Sequence, residues 1–229
     1  MKNIKDILFL VQARLGSQRV PGKMIAPFAN TTLMDICFDK INSSSFIPKS
    51  QFYASVYEDE LKSICLNKNI NIFERSKESA DCEGTPMTLM YEWYDKLPFK
   101  YCVLISACTP FLSISTIENF TKSYLKSDSD GLFGVIRKNN YFWNKESKLI
   151  TPWPKGKEVM MTNYVEETYE AAHCLYAGRL DKIDQGIWMG DFQKPGDIEL
   201  FPIEEDECLD IDYQHQFDKC EAIYKSTII

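Results

Sequence analysis

Short apolar segments alternate with segments of helical spacing along this chain, and that alternation most constrains its fold. Strands are predicted over residues 7–13, 52–56, 70–73, 101–106, 131–137, 172–177 and 197–203. Helices are predicted at about 31–43, 58–67, 85–96, 113–126, 179–186 and 213–225. Such alternation is typical of a sheet with helices packed on both faces. We therefore expect an α/β fold, a three-layer sandwich around a mainly parallel, mixed sheet.

The length of 229 residues suits a single domain that spans residues 1–229. Regular periodicity fails between 138 and 170, where aromatic residues and prolines are mixed with polar residues. A long surface loop without function is one explanation. We favour an insertion for substrate binding or dimerisation, because long irregular stretches often carry function and exposed aromatic rings favour an interface.

Composition and charge exclude several classes of protein. A net charge of −7 disfavours nucleic acid as a partner, since that function needs a basic surface. The apolar runs are too short for a membrane span, and residues 1–6 lack the apolar core of a signal peptide. The eight cysteines are scattered, without a C-x-x-C pair. We therefore expect a cytoplasmic protein in which the cysteines form neither a metal site nor a disulfide framework.

A glycine-containing loop rich in cations follows the first predicted strand. Residues 12–23 read QARLGSQRVPGK, directly after the apolar run ILFLV at 7–11. Gly16 and Gly22 permit tight turns and let backbone N–H groups approach phosphate oxygens. Arg14, Arg19 and Lys23 supply charge against a polyanion. An ordinary solvated turn is the alternative, but this pattern favours a polyphosphate site.

The loop is not a Walker A motif. Five residues separate Gly16 from Gly22, whereas that motif has four. Met24 follows Lys23, so the hydroxyl that would bind a magnesium ion is missing. The G-x-G-x-x-G dinucleotide pattern is absent as well. Another class of phosphate-binding loop is therefore expected.

A second constellation lies before the last predicted helix, in the segment CLDIDY at 208–213. In extended backbone Asp210 and Asp212 point the same way, and close carboxylates repel unless a cation lies between them. Magnesium prefers such oxygens together with phosphates. Helix capping is the alternative role for either aspartate. Taken with the cationic loop, the pair favours a magnesium site.

Two further segments carry weaker signals. Ser106 stands at the end of a predicted central strand, where ligands of parallel sheets bind. Arg75 and Thr85 bracket a loop between a strand and a helix, which suits a base and phosphate. Either segment is also explained as ordinary structure. The two histidines, His173 and His215, form no recognisable catalytic arrangement with a serine and an aspartate.

These motifs resemble those of the acylneuraminate (CMP-sialic acid) cytidylyltransferase family. Its first motif is approximately A-R-x-G-S-x-R-x-P-x-K, and the related spore-coat polysaccharide cytidylyltransferases begin with Q-A-R-x-G-S-x-R-x-P-G-K. Residues 12–23 match this spacing. The D-I-D segment is similar to the family's D-I-D-T motif, with Tyr213 in place of threonine. Ser106 and Leu112 replace a glutamine and an arginine of the family pattern.

The resemblance implies a fold of the nucleotide-diphospho-sugar transferase (Rossmann-like) type. It also implies an enzyme that transfers CMP from CTP to an acidic, nonulosonic acid-like sugar and releases pyrophosphate. The implied cofactor is Mg²⁺ at Asp210 and Asp212, and the implied assembly is a homodimer with the 138–170 arm crossing between subunits. The implied catalytic residues are Arg14, Lys23, Asp210 and Asp212. The implied nucleotide-binding residues are Ala13, Arg14, Gly16, Ser17, Arg19, Lys23, Arg75, Thr85 and Ser106.

Two alternatives stay open at this point. One alternative is an enzyme that uses another nucleotide or another acceptor, since the residues that would recognise an acidic sugar are altered at 106 and 112. A non-catalytic nucleotide-binding protein is the other alternative. Lys23, Asp210 and Asp212 argue against it, because such residues serve the change of charge during the reaction rather than recognition of the base.

Overall fold

The computed structural model describes residues 1–227, and within them seven strands form one sheet. The strands are β1 (Ile7–Gln12), β2 (Phe52–Val56), β3 (Asn71–Glu74), β4 (Tyr101–Ile105), β5 (Gly131–Lys138), β6 (Thr168–Arg179) and β7 (Ile198–Ile203). The α-helices are α1 (Leu33–Asn42), α2 (Asp59–Asn67), α3 (Lys77–Asp81), α4 (Met87–Met90), α5 (Ile114–Lys126) and α6 (Gln214–Thr227). The predicted α/β class is confirmed.

The strand order is β3-β2-β1-β4-β6-β5-β7. β1 pairs in parallel with β2 and β4, β2 with β3, and β5 with β7. β6 runs antiparallel to both β4 and β5. The carboxyl ends of β1 and β4 therefore share one edge of the sheet with the amino-terminal half of β6. This edge carries the candidate site.

The two faces of the sheet are covered differently. On β1, Ile7, Phe9 and Val11 pack into the larger core with α1, α2, α5 and α6, whereas Leu8 and Leu10 face the opposite side. The opposite core contains the fully buried Trp93. The alternation of side chains along the strand explains this division. The result is the predicted three-layer arrangement, with the long helices on one face.

The predicted helix over 85–96 is wrong beyond its first turn. Only Met87–Met90 is helical, and turns follow it. Trp93 is buried against the sheet, and its Nε1 donates a hydrogen bond to Gln12 Oε1 at 2.8 Å. These tertiary contacts override the helical spacing of the segment.

No helix of residues 1–227 has the length and apolar character needed to cross a membrane.

Two other boundaries differ from the prediction. The predicted strand 172–177 extends over Thr168–Arg179, so the irregular segment between strands covers 139–167 and contains a 3₁₀ turn at Thr162–Tyr164. The predicted helix 179–186 is a 3₁₀ helix, Leu180–Gln185, which ends at Gly186 with φ of +76°. Left-handed backbone at a glycine is a common helix terminus.

Candidate active site

The loop after β1 folds back on itself. The amide of Gly22 donates to the carbonyl of Leu15 at 3.3 Å, and Gly22 has φ of +64°. The amide of Leu15 donates to Glu58 Oε1 at 2.7 Å, which fixes the loop to the start of α2. Within residues 1–227 no protein acceptor is bonded to the amides of Gly16, Gln18 and Arg19. Such amides are available to phosphate oxygens.

This loop forms one wall of a cleft of about 600 Å³ at the carboxyl end of β1. Five of the residues predicted to bind nucleotide line the cleft, namely Ala13, Arg14, Ser17, Arg19 and Lys23. Gly16 lies in the same loop and is exposed. The loop therefore presents three cationic side chains to one concave surface, as expected for a polyanion site.

The opposite wall is the loop at 82–84, which Arg14 tethers. Arg14 Nη1 donates to the carbonyls of Ala80 at 2.9 Å and Cys82 at 3.3 Å. Cys82, Glu83 and Gly84 line the cleft. The guanidinium of Arg14 thus joins the two loops across the cleft, and its remaining N–H groups are left for a ligand.

Arg75 and Thr85 are placed differently from the prediction. Arg75 is only 4% exposed, and its guanidinium donates to Ser79 Oγ at 3.1 Å and to the Ser79 carbonyl. Burial lowers its pKa, with a further contribution from the charge of Arg14. It therefore supports α3 from beneath instead of lining the cleft. Thr85 is exposed and lies outside the cleft lining.

The end of β4 forms the floor between the two sides of the site. Ser106 Oγ accepts a hydrogen bond from the amide of Cys108 at 3.1 Å, and Thr109 Oγ1 donates to the Ser106 carbonyl at 3.2 Å. The Ser106 hydroxyl therefore shapes the turn, while Cys108 lines the cleft. Cys108 is a cleft residue that was not predicted from the sequence, although its place just after a parallel strand was the available signal.

The acidic pair lies against this same floor and the cationic loop. The amide of Ile211 donates to the carbonyl of Cys108 at 3.1 Å, and Lys23 Nζ donates to the carbonyl of Ile211 at 2.6 Å. Arg19 Nη2 lies 2.7 Å from Asp212 Oδ1, and Lys23 Nζ lies 3.7 Å from the same oxygen. The fold thus joins the first loop to a segment nearly at the other end of the chain.

Within residues 1–227 neither the Asp210 nor the Asp212 side chain is hydrogen-bonded to a backbone amide of α6. Gln216 Oε1 accepts from the amides of Asp212 and Tyr213, both at 2.8 Å, and so bonds the amides that precede the helix. Burial and the charge of Asp212 raise the pKa of Asp210, while Lys23 and His173 oppose that rise. A partly buried carboxylate that its neighbour repels is the arrangement a cation would stabilise.

Protein ligands alone do not complete a metal site here. No group of three or more histidine, cysteine, aspartate or glutamate side chains in residues 1–227 is arranged to hold a metal ion. Asp210 and Asp212 place two carboxylates beside a cleft that three cationic side chains line. Magnesium commonly takes one or two carboxylates together with substrate phosphates, so the donor set fits a site completed by a nucleotide.

Gln12 and Met90 are further cleft residues that sequence analysis left without a role. Gln12 Nε2 donates to the carbonyl of Met90 at 3.3 Å, and Gln12 Oε1 accepts from Trp93. The side chain of Gln12 therefore ties the end of β1 to the turns after α4. Its position in the motif QAR, at the end of the first strand, was the sequence signal.

An α/β sheet with a cationic, glycine-containing loop after its first strand and an acidic pair beside it defines a nucleotide-binding enzyme of the nucleotidyltransferase class. A sequence model of the cytidylyltransferase family matches residues 8–183. The chain therefore belongs to the cytidylyltransferase family. This membership confirms the family and enzyme class predicted from the sequence.

A curated relative and three solved structures add to this result. The spore coat polysaccharide biosynthesis protein SpsF of Bacillus subtilis (strain 168) is 32% identical over 81 residues. That match covers 33% of this chain and about a third (34%) of the length of the relative.

The solved structures share the fold at low identity. A CMP:2-keto-3-deoxy-manno-octonic acid synthetase complexed with CTP is 11% identical and superposes with a TM-score of 0.71, over 97% of this chain and 99% of its own. A cytidylyltransferase from Leptospira borgpetersenii serovar Hardjo-bovis (strain JB197) is 14% identical, with a TM-score of 0.64 over 96% and 87%. The 4-diphosphocytidyl-2C-methyl-D-erythritol synthase of Anaerococcus prevotii DSM 20548 is 11% identical, with a TM-score of 0.65 over 96% of each chain. These matches confirm the nucleotide-diphospho-sugar transferase type of fold.

Proposed function

We propose that this protein transfers CMP from CTP to an acidic, nonulosonic acid-like sugar and releases pyrophosphate. The observation that carries the proposal is the contact between the two sequence motifs. Lys23 Nζ bonds the carbonyl of Ile211 and lies 3.7 Å from Asp212 Oδ1, so the acidic segment is in contact with the cationic loop that lines the cleft. Triphosphate binding and metal-assisted transfer need these two features side by side.

In this proposal the loop residues hold the triphosphate. The free amides of Gly16, Gln18 and Arg19 bind phosphate oxygens, and Arg14 and Lys23 stabilise the charge that develops on the leaving pyrophosphate. Arg19 supports them from the outer rim, where its guanidinium lies over the Tyr213 ring at 5.1 Å. Ala13 and Ser17 shape the cleft beside the nucleotide.

Asp210 and Asp212 are proposed to hold Mg²⁺. When bound, the ion would neutralise phosphate charge and assist ionisation of the attacking hydroxyl group. The protein's contribution is to keep both carboxylates near the cleft: Arg19 orients Asp212, and the Ile211 amide fixes the segment to the end of β4. The proposed ligands are therefore held in position by backbone and side-chain contacts that form without nucleotide.

The acceptor is proposed to be an acidic sugar on grounds of likeness. One solved structure of the same fold is named as a synthetase for a CMP-linked keto-deoxy sugar acid. The curated relative is named for spore coat polysaccharide biosynthesis. Arg75, Thr85 and Ser106, predicted from the resemblance to contact the nucleotide, keep only an indirect part, because their side chains lie outside the cleft lining. A neutral sugar or another nucleotide is the second candidate.

A panel of nucleoside triphosphates against sugars tests the proposed function. Purified protein is incubated with Mg²⁺, one triphosphate and one sugar, and released pyrophosphate is measured. We expect release with CTP and a keto-deoxy sugar acid, and little release with ATP, GTP or neutral hexoses. Release with another triphosphate only, or no release with any pair, would contradict the proposal.

We also propose a homodimer formed through the irregular segment. Phe142, Trp143 and Trp153 are 39%, 49% and 44% exposed, and Met160 and Met161 beside them are exposed as well. Apolar rings of this size favour a protein interface, and two-fold dimers are the commonest oligomers. The segment would then also be the arm that reaches a partner's cleft.

Light scattering during size exclusion is expected to give a dimer at micromolar concentration. Trp143→Glu should shift the mass to a monomer without loss of the melting transition, because the side chain is about half exposed within one chain. Trp188→Phe serves as the matched control and should stay dimeric. Trp188 packs against the core on the opposite face of the sheet, the one that contains Trp93. A wild-type monomer under these conditions would contradict the assembly.

A cytoplasmic location is part of the proposal. Seven of the eight cysteines are buried, and all eight are free thiols in the structure. Burial raises the pKa of Cys37 to about 12 and that of Cys65 to about 12, which keeps these sulfurs protonated. Free protonated thiols suit a reducing compartment.

A further inference from the structure

His173 lies at the same edge of the sheet as the cleft, on the side away from the cationic loop. β6 is antiparallel to β4, and Leu175 pairs with Ile105 at the last residue of β4. The amide of Ser106 donates to the carbonyl of Cys174 at 2.9 Å, so the chain of β6 borders the floor of the site. The cationic loop borders β4 from the other neighbour, β1.

The backbone at His173 is unusual for a residue with a side chain. Its φ is +54°, in the left-handed region that favours glycine. The residue lies in a bulge of β6, where the pairing with β5 shifts between Phe133 and Val135. Strain of this kind persists where surrounding structure imposes it, and it often marks a functional position.

The imidazole of His173 is exposed yet held in place. Its Nδ1 lies 3.1 Å from the hydroxyl of Tyr176, and Tyr176 packs against Trp188 with ring centroids 4.7 Å apart. The carbonyl of Cys174, the next residue, accepts from the Ser106 amide, and the carbonyl of Cys108 accepts from the Ile211 amide at 3.1 Å, so His173 and the acidic pair border the same floor. The contact with Tyr176 uses Nδ1 and not Nε2.

We propose that His173 is the catalytic base that accepts the proton of the attacking acceptor hydroxyl. This inference rests on the proposed function. The sugar oxygen forms a bond to the α-phosphorus of CTP, the bond from that phosphorus to the bridging oxygen of pyrophosphate breaks, and its electron pair leaves with pyrophosphate. The hydroxyl proton passes to Nε2 of His173. Nδ1–H donates to the Tyr176 oxygen, which keeps the lone pair on Nε2.

Placement on β6 also assigns the acceptor to that side of the cleft. In the proposed complex the cationic loop holds the triphosphate at the end of β1. Asp210 precedes Ile211, whose amide bonds the turn after β4, and β4 lies between β1 and β6 in the sheet. A hydroxyl that attacks the α-phosphorus near Asp210 must then approach from the side of His173. A base on this side suits in-line transfer, because the attacking hydroxyl group approaches the α-phosphorus opposite the leaving pyrophosphate.

The test compares the two histidines of the chain. His173→Asn keeps a residue that tolerates left-handed backbone, so the fold should persist. We expect kcat to fall about a hundredfold or more while KM for CTP stays within about twofold. His215→Asn, on the exposed start of α6, is the matched control and should retain wild-type kcat.

Rescue of activity by free imidazole distinguishes a proton-transfer role of His173 from a structural role. His173→Gly relieves the backbone strain and leaves space for free imidazole, which should raise kcat several-fold in a concentration-dependent way, with no effect on the wild type. Wild-type kcat in His173→Asn, or a folded His173→Gly without rescue, would overturn this inference alone. Absence of activity of the wild type with every acceptor would overturn the proposed function, and this inference with it.

Discussion

Replacing Asp210 by asparagine is expected to lower turnover by about a hundredfold or more and to leave the melting temperature unchanged or slightly higher. The carboxylate charge that draws a hard cation is lost. The fold should not suffer, because Gln216 bonds the amides before α6 and Asp210 forms no salt bridge within residues 1–227. Burial and repulsion from Asp212 make the charged form of Asp210 unfavourable in the folded state, so removing the charge costs little.

Asp212→Asn should give a similar loss of turnover, with a small change in stability from the exposed contact to Arg19. Turnover and melting temperature are measured on the same preparations, with magnesium titrated against each variant. Asp206→Asn changes an exposed acid outside the cleft and is the control. Full activity of Asp210→Asn or Asp212→Asn, or wild-type activity in excess chelator, would remove the metal assignment.

Lys23→Ala is expected to reduce kcat about a hundredfold, because a contact to charge that develops in the transition state is worth roughly 3 kcal/mol. The ammonium group is mostly shielded from solvent, with a side-chain exposure of 12%, and lies between the Ile211 carbonyl and Asp212. Its effect on the phosphates is therefore weakly screened by water and salt. Steady-state kinetics with CTP varied measures the loss.

Lys23→Met keeps the aliphatic stem and separates charge from packing. It should lose as much turnover as Lys23→Ala and keep the wild-type melting temperature. Lys219→Ala on the exposed face of α6 is the control for loss of one positive charge. Arg14→Ala should also lose turnover and raise KM for CTP, because it releases the carbonyls of Ala80 and Cys82. Near-wild-type turnover of both Lys23 variants would contradict a catalytic loop.

The parts of the molecule that sequence analysis predicted well have local causes. β1 is an unbroken apolar run that is buried on both faces, and the loop after it must turn at Gly22. The repulsion between Asp210 and Asp212 follows from their spacing in the sequence and does not depend on the remainder of the chain. Such features depend on neighbours in sequence, so residue type and spacing suffice to predict them.

The parts that it missed depend on distant contacts. The segment at 85–96 has helical spacing, but burial of Trp93 against the sheet decides its path. Arginine often binds phosphate, so Arg75 was a reasonable candidate from the sequence. Only the fold shows that its side chain lies beneath α3 and bonds Ser79. His173 looked like an ordinary strand residue, because nothing in the sequence reveals the bulge in β6 or the left-handed backbone at this position.

The proposed function requires that the α-phosphoryl group of CTP, with its nucleoside, moves to the acceptor. The most direct measurement uses CTP labelled at either the α- or the γ-phosphate, with an acidic sugar that supports pyrophosphate release, and separates the products. We predict that the α label appears only in a sugar-linked CMP product and the γ label only in pyrophosphate. A sugar product that carries the γ label, or CMP released without a sugar, would contradict the account.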